Sequence, residues 1–412
     1  MPGQGTHRRR RRGRFHGTES GVVRRGFAIA ACCMRWVEDG TVLVGPQALD
    51  RAGDLAQRSG GARALVVTDE GLADTPVVPA LLQALDGFVA ADVFSGVRPN
   101  PTVELIDLAG ARAAEDSIDL VIALGGGSSL DAAKGIALVA ANASMSAREF
   151  DFSAQSSDGA FEPALPILAI PTTAGTGSET NSWGVIDDPV AATKVYIGDV
   201  STVPYATILD PLVTVGLPAR ASAATGFDAL THGIESLTSI SATDAGRERS
   251  TEAITTVTRH LPGAVRDGRD IQARSGMLIG AHVAGRALTT SGLGLAHGIA
   301  HAVSAHSGAA HGEALAAVLP EVIAFNLPFS EDGYAVTAAC MADAGWTVDG
   351  DVSTAVEEFA TAIGARRSLG ELGVTSQMVE SIATGAASDR VTANNPRPVL
   401  PADVETIVVS RL

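Results

Sequence analysis

The 412-residue sequence predicts an α/β domain followed by an all-α domain. Three observations predict it. Between Thr41 and about Leu217, short β-branched apolar runs alternate with helical segments, as in a mainly parallel sheet with helices on its faces. After LDPLVTVGLP, residues 209–218, strand-like runs nearly vanish and Ala-rich helical periodicity continues to the C-terminus. The composition, 46% hydrophobic and 18% charged, gives a chain of this length enough apolar surface for two cores. The expected division is a tail over 1–33, an α/β domain over 34–217 and a helical domain over 218–412, with a cleft between the last two as the natural active site.

The α/β part rests on four runs in order: ARALVVTDE, DLVIALGGG, PILAIPTT and ATILDP. Each is short, apolar and followed by Gly, Pro, Asp or Thr, which end strands and open helices. The longest stretch free of Asp, Glu, Lys and Arg, Ala287 to Gly312, holds four histidines and many Gly, Ser and Thr residues. It is a poor membrane span, and no transmembrane helix is expected. The formal net charge is -16, yet residues 1–33 contain eight arginines against one acid, so the remainder is strongly acidic. An acidic body argues against nucleic acid as a partner, and THRRRRRGR without aromatic interleaving reads as a solvated terminal run. VVRRGFAIAACC pairs twin arginines with IAAC, but its apolar core is shorter than the roughly 7–15 residues an export signal needs. Cytoplasmic residence is expected, with Met34 looking like the start of the folded part. Cys32, Cys33 and Cys340 make no disulfide framework and no metal-ligand spacing.

Three motifs point to a nucleotide. IALGGGSSLDAAK, residues 122–134, sets three glycines between a buried strand and a helix, where backbone N–H groups and the helix dipole attract phosphate. It is not the common GxGxxG pattern, and a plain tight turn would also use these glycines. ALVVTDE ends a strand on Thr68 and Asp69, where a carboxylate can bind a ribose hydroxyl and repel a 2'-phosphate, favouring NAD. A helix cap is the alternative use of Asp69. PTTAGTGSET, residues 171–180, offers Thr172, Thr173, Thr176 and Ser178 as neutral hydrogen-bonding groups behind another strand.

TGFDALTHGIE puts Asp228 and His232 four apart, on one helical face, suited either to a metal ion or to a buried hydrogen bond. His297, His301, His306 and His311 follow within the charge-free stretch. On one continuous helix His311 would lie about 21 Å from His297. A break at Ser307-Gly308 would fold it back, so that Asp228, His232, His297 and His311 make a one-carboxylate, three-imidazole site.

GGGSSLDAAK, PTTAGTGSE, LDPLVTVGLP, TGFDALTHGIES and GLAHGIAH followed by AHGEA, in this order, closely resemble the iron-containing (group III) alcohol dehydrogenases. The resemblance covers about residues 38–405. It implies a Rossmann-like N-terminal domain and a helical metal-binding C-terminal domain, the dehydroquinate synthase-like arrangement, in dimers or larger homo-oligomers. It implies metal ligands at Asp228, His232, His297 and His311, and NAD contacts at Asp69, Gly126, Gly127, Ser128, Asp131, Thr172, Thr173 and Lys194. His301 matches a histidine near the nicotinamide that helps relay a proton, or alternatively packs behind the ligands. Iron(II) is the metal implied, and zinc suits the same donors.

The implied chemistry is hydride exchange between NAD(H) and a small alcohol or aldehyde whose oxygen the metal polarises. Rival readings are a glycerol-dehydrogenase-like polyol enzyme, a reductase of anionic aldehydes and a dehydroquinate-synthase-like lyase. Two departures stand out. AHAVSAHSG lacks the Pro and Gly that many members carry after the match to His301, and Arg286 in VAGRALTTSG replaces a commonly apolar residue. Arg286 can read an anionic substrate group or be an ordinary exposed helical arginine.

Overall fold

A computed structural model describes residues 41–152, 161–191 and 193–412. The arginine-rich segment, Met34, Cys32 and Cys33 lie outside the described residues. The strands are β1 (Thr41–Val44), β2 (Arg63–Asp69), β3 (Ala90–Val97), β4 (Leu120–Gly125), β5 (Ile167–Pro171), β6 (Gly184–Asp188), β7 (Thr193–Ile197) and β8 (Ala206–Leu209). Helices α1 (Ala52–Arg58), α2 (Glu70–Ala73), α3 (Val77–Leu85), α4 (Val103–Glu115) and α5 (Gly127–Ala141) connect them. Six strands form one all-parallel sheet in the order β1-β8-β5-β4-β2-β3.

The sheet is buried on both faces because its central strands are apolar at every position. Every residue of β4 and β5 is buried. Successive side chains of β2 alternate between two cores: Val66 joins Leu81 and Ile122 on one side, and Val67 joins Ile106 and Ile136 on the other. The four apolar runs of the sequence are thus β2, β4, β5 and β8. Edge strands β1 and β3 and the antiparallel hairpin β6–β7 add to them. β1 is only four residues long and β3 is mostly exposed or half-exposed, so neither shows a continuous apolar run.

Beyond Leu209 no strand occurs among the described residues. The chain continues as α6 (Ala219–Thr238), α7 (Asp244–Arg266), α8 (Ile271–Ser291), α9 (Leu295–Ser307), α10 (His311–Asn326), α11 (Glu331–Asp343), α12 (Val352–Ala362), α13 (Val379–Ser388) and α14 (Pro401–Ser410). The stretch His311–Phe329 has a mean hydropathy of 1.3 and is long enough to cross a membrane, but 67% of it is buried inside the protein, as in a core helix. Pro320 interrupts the backbone ladder of α10, and its missing N–H leaves the carbonyl of Ala316 without a helical donor. Arg366 supplies one: Nη1 donates to Ala316 O at 2.9 Å and to Ala317 O at 2.7 Å.

The loop after β5 joins sheet to helices. Gly177 has φ +63°, and a Cβ built on it would lie 2.5 Å from the Cα of Gly285 on α8. A Cβ on Gly285 would in turn meet Gly177 Cα at 2.8 Å and Thr180 Oγ1 at 2.7 Å. Backbone touches backbone here, so neither partner can move aside cheaply. We predict that Gly285→Ala destabilises the protein by about 1–3 kcal/mol, seen as a lower thermal midpoint, while Gly216→Ser, which meets nothing within 4 Å at its Cβ and has no left-handed backbone to strain, shifts it less.

Candidate metal and nucleotide site

Strand order reverses between β2 and β4, since β2 leads outward to β3 and β4 leads the other way to β5. A crevice at the carboxyl ends of such strands is the usual nucleotide site of an open parallel sheet. Asp69 ends β2, and Gly125, Gly126 and Gly127 follow β4 into α5. The N-cap of α5 is Gly126, with no side-chain hydrogen bond, so the first amides of a 15-residue helix are left for an anion. A Cβ on Gly126 would press Thr173 at 3.2 Å, and one on Gly127 would meet Thr176 at 2.6 Å. The glycine turn and the hydroxyl loop therefore form one cradle that only glycine leaves open. Thr172 N also donates to Gly125 O at 2.9 Å.

Asp69 does cap a helix: its Oδ1 accepts from Leu72 N at 2.9 Å. Its Oδ2 lies 3.6 Å from the Cβ position of Gly125, at the edge of the cradle. Asp131 has both oxygens engaged, Oδ1 with Ser178 Oγ at 2.5 Å and Oδ2 with Val185 N at 3.0 Å. It shapes the loop from below. Lys194, on β7, pairs with Asp187 at 2.7 Å and with Asn100 at 3.1 Å. Ser128 is half-buried in the first turn of α5.

Sequence reasoning missed Lys134. Its Nζ is buried and meets Ser178 O (2.7 Å), Ser178 Oγ (2.9 Å), Asn181 Oδ1 (2.8 Å) and Trp183 O (2.6 Å), four acceptors for three N–H bonds. Burial pushes its pKa down to about 8 against the pull of Asp131 and Glu179. The signal was present: Asp131 and Lys134 are three apart on α5, hence on one face.

In the helical part, Asp228 and His232 sit on α6, His297 on α9, and His311 opens α10. Gly308, with φ +72°, ends α9 in the left-handed conformation and turns the chain back. Three Nε2 atoms converge on Asp228 Oδ1: His232 at 3.3 Å, His297 at 3.4 Å and His311 at 3.7 Å. Ligand atoms of Asp228, His297 and His311 lie within 4.8 Å of one another. Asp228 Oδ1 and His297 Nε2 are buried with no hydrogen-bond partner.

Burial opposes ionisation of Asp228, but the imidazoles around it prevail and hold its carboxyl far below the usual range. Burial lowers His232 to about 4 and drives His311 well below its ordinary value. Burial also acts on His297, but the charges of Glu235 and Asp228 outweigh it and raise the pKa to about 9. A buried anion therefore faces imidazole lone pairs and one displaceable proton, a donor set that fits a divalent cation. Donors about 2.0–2.2 Å from a four-coordinate ion stand about 3.4 Å apart, close to the 3.3–3.7 Å that separate Asp228 Oδ1 from the three Nε2 atoms.

Glu235 completes this arrangement. Its Oε2 accepts from His297 Nδ1 at 2.6 Å and from Gly294 N at 3.0 Å, and its Oε1 accepts from Ala296 N at 2.6 Å. It caps α9 and fixes His297 with Nε2 toward Asp228. It lies seven residues after Asp228, on the same face of α6, a spacing visible in TGFDALTHGIE. His301 lies beside the cluster, its ring stacked on His311 at 5.3 Å and its Nδ1 2.9 Å from Asp389 Oδ2. Nothing local in the sequence announces Asp389, 88 residues away. His306 is exposed and bonds Ala302 O, apart from the cluster, and Arg286 is half-buried on α8.

Residues 40–211 match the family model described as iron-containing alcohol dehydrogenase, and residues 222–412 match that of the family's C-terminal part. The chain belongs to the iron-containing alcohol dehydrogenase family. It is 35% identical over 367 residues to the probable alcohol dehydrogenase EutG of Escherichia coli (strain K12), spanning 89% of this chain and 91% of that one. It is 32% identical to the NAD-dependent methanol dehydrogenase of Bacillus methanolicus, over 90% and 97% of the two chains. A crystal structure of 1,3-propanediol oxidoreductase superposes with a TM-score of 0.84 at 30% identity, covering 92% of this chain and 100% of the other. As a member of this family the protein is an alcohol dehydrogenase-type oxidoreductase that uses NAD and a metal ion.

Two outcomes are expected. Glu235→Gln keeps a cap on α9 but loses the charge behind His297, and lowers metal affinity about 10–100-fold in chelator competition. Lys134 has a folded pKa near 8, below its unfolded value of 10.5, so the unfolded chain binds more protons between these limits. Its contribution is unfavourable below pH 8 and is relieved as pH rises to 10.5. Denaturant titrations should show wild type gaining stability relative to Lys134→Met over that window.

Proposed function

We propose that the protein reduces small aldehydes to primary alcohols, or runs the reverse oxidation, with NAD(H) and ferrous iron, zinc being the other ion that these donors suit. The observation that carries this reading is the convergence of three imidazoles on the partnerless Asp228 Oδ1, on helices next to a glycine and threonine cradle. When bound, the metal supplies Lewis acidity toward the substrate oxygen and NAD(H) supplies or accepts the hydride.

The side chains do the rest. Asp228, His232, His297 and His311 hold the ion, and Glu235 orients His297. Asp69, Gly126, Gly127, Ser128, Thr172, Thr173 and Lys194 bind the dinucleotide, and Asp131 acts through Ser178. His301, held through Nδ1 by Asp389, presents Nε2 for proton exchange with the substrate oxygen. The reading assigns 34–217 to the NAD-binding domain and 218–412 to the metal-binding domain. It also takes the protein to be cytoplasmic, because the apolar core of VVRRGFAIAACC is short for an export signal, and to be a homodimer or larger assembly, as the family resemblance implies.

The test is anaerobic purification with metal analysis, followed by an NADH-oxidation screen over small aldehydes. Wild type is expected to contain one equivalent of metal and to turn over. His297→Ala is expected to bind NADH normally, by fluorescence titration, while losing metal and turnover together. Full turnover by a metal-free His297→Ala protein sinks the proposal.

A further inference from the structure

Away from the metal cluster lies a second buried carboxylate–imidazole contact. Glu179, in the hydroxyl loop, and His282, on α8, are 6% and 4% exposed, and Glu179 Oε1 stands 3.1 Å from His282 Nδ1. His282 Nε2 is buried and has no hydrogen-bond partner. Two apolar side chains would fill this space at lower desolvation cost, so the pair is a poor source of stability. Its value lies in where it stands.

Neighbouring residues of the loop are gripped from opposite sides. Ser178 is held by Asp131 and Lys134 of α5, the helix whose first turn forms the glycine cradle. Glu179 is held by His282 of α8, the helix that runs through Ser291 and Gly292 into α9 and His297. The end of α8 is tied in turn to α6, which carries Asp228: Ser239 Oγ donates to Ser291 O at 2.5 Å and Ser236 Oγ to Gly292 O at 3.1 Å. One dipeptide thus links the cradle to the helices of the metal cluster, and Glu179–His282 is its polar, directional half.

We infer that Glu179 and His282 are positioning residues that set the cofactor loop against the metal-bearing helices. The inference rests on the proposed reading of the protein as a metal- and NAD(H)-dependent oxidoreductase. Hydride transfer demands close, aligned atoms, and a displacement of about 1 Å can cost about 10²-fold in rate. Loss of the pair should spare each binding event and damage the step that needs both.

The experiment compares wild type with His282→Phe, Glu179→Met, Glu179→Gln and the double variant Glu179→Met/His282→Phe. Each is measured for metal content, NADH Kd by fluorescence, thermal midpoint, kcat, and the isotope effect with deuterated NADH. The single apolar variants leave one buried polar partner stranded and are expected to be less stable. The double variant removes both partners and should recover its midpoint. Expected for the double variant is a kcat about 10–100-fold below wild type, with metal content and NADH Kd within twofold and a larger isotope effect. Glu179→Gln, which keeps an acceptor for His282, should lose less than Glu179→Met. A double variant that recovers wild-type kcat along with its midpoint overturns the inference, as does a kcat loss that merely tracks lost metal. Wild type that is inactive on every aldehyde with iron or zinc overturns the functional reading, and the inference with it. An active wild type beside an equally active double variant overturns the inference alone.

Discussion

A buried carboxylate governs the helical half of this protein. Asp228 is 3% exposed and faces three imidazoles that hold its carboxyl far below the usual range although burial opposes ionisation. Such a group is tolerable in a core only with a cation beside it. Bringing three histidines to one oxygen takes three helices, α6, α9 and α10, and a left-handed turn at Gly308 between the last two. Glu235 makes the ends of α9 and α6 answer to the same requirement, because one carboxylate caps the helix and orients its histidine. Helix packing, capping and ligand geometry are here a single constraint.

The sheet half meets a different demand, a backbone close enough to touch an anion. Glycines after β4 and hydroxyls after β5 face each other, and α5 grips the hydroxyl loop from beneath through Asp131 and Lys134. The same loop reaches across to Gly285 and His282 on α8. Cradle and metal cluster therefore share a wall and are not independent sites that happen to be neighbours.

Much of this was legible in the sequence. Buried central strands read as apolar runs because both faces are covered. β1, β3 and the β6–β7 hairpin did not, because short or half-exposed strands carry no such run. The four converging side chains were legible because two share a helical turn and the others flank a Ser-Gly break. Glu235 was within the quoted motif yet passed over, since its i+7 relation to Asp228 counts only once that face is seen to gather the histidines. Asp389 was out of reach: its contact with His301 depends on how α13 packs against α9. At Asp131, a motif position the resemblance assigns to the cofactor, Oδ1 accepts from Ser178 of the loop and Oδ2 from Val185 N of β6, contacts that the motif alone does not announce.

Pro320 and Arg366 act on the same turn of α10. The first residue of α10 is His311, and nine residues later the helix gives up a backbone donor that a distant guanidinium restores. Arg366 thus answers the donor that the proline lacks, besides pairing with Glu321 and Glu357. Substitutions at the two positions are epistatic: each is costlier alone than its partner's replacement would make it.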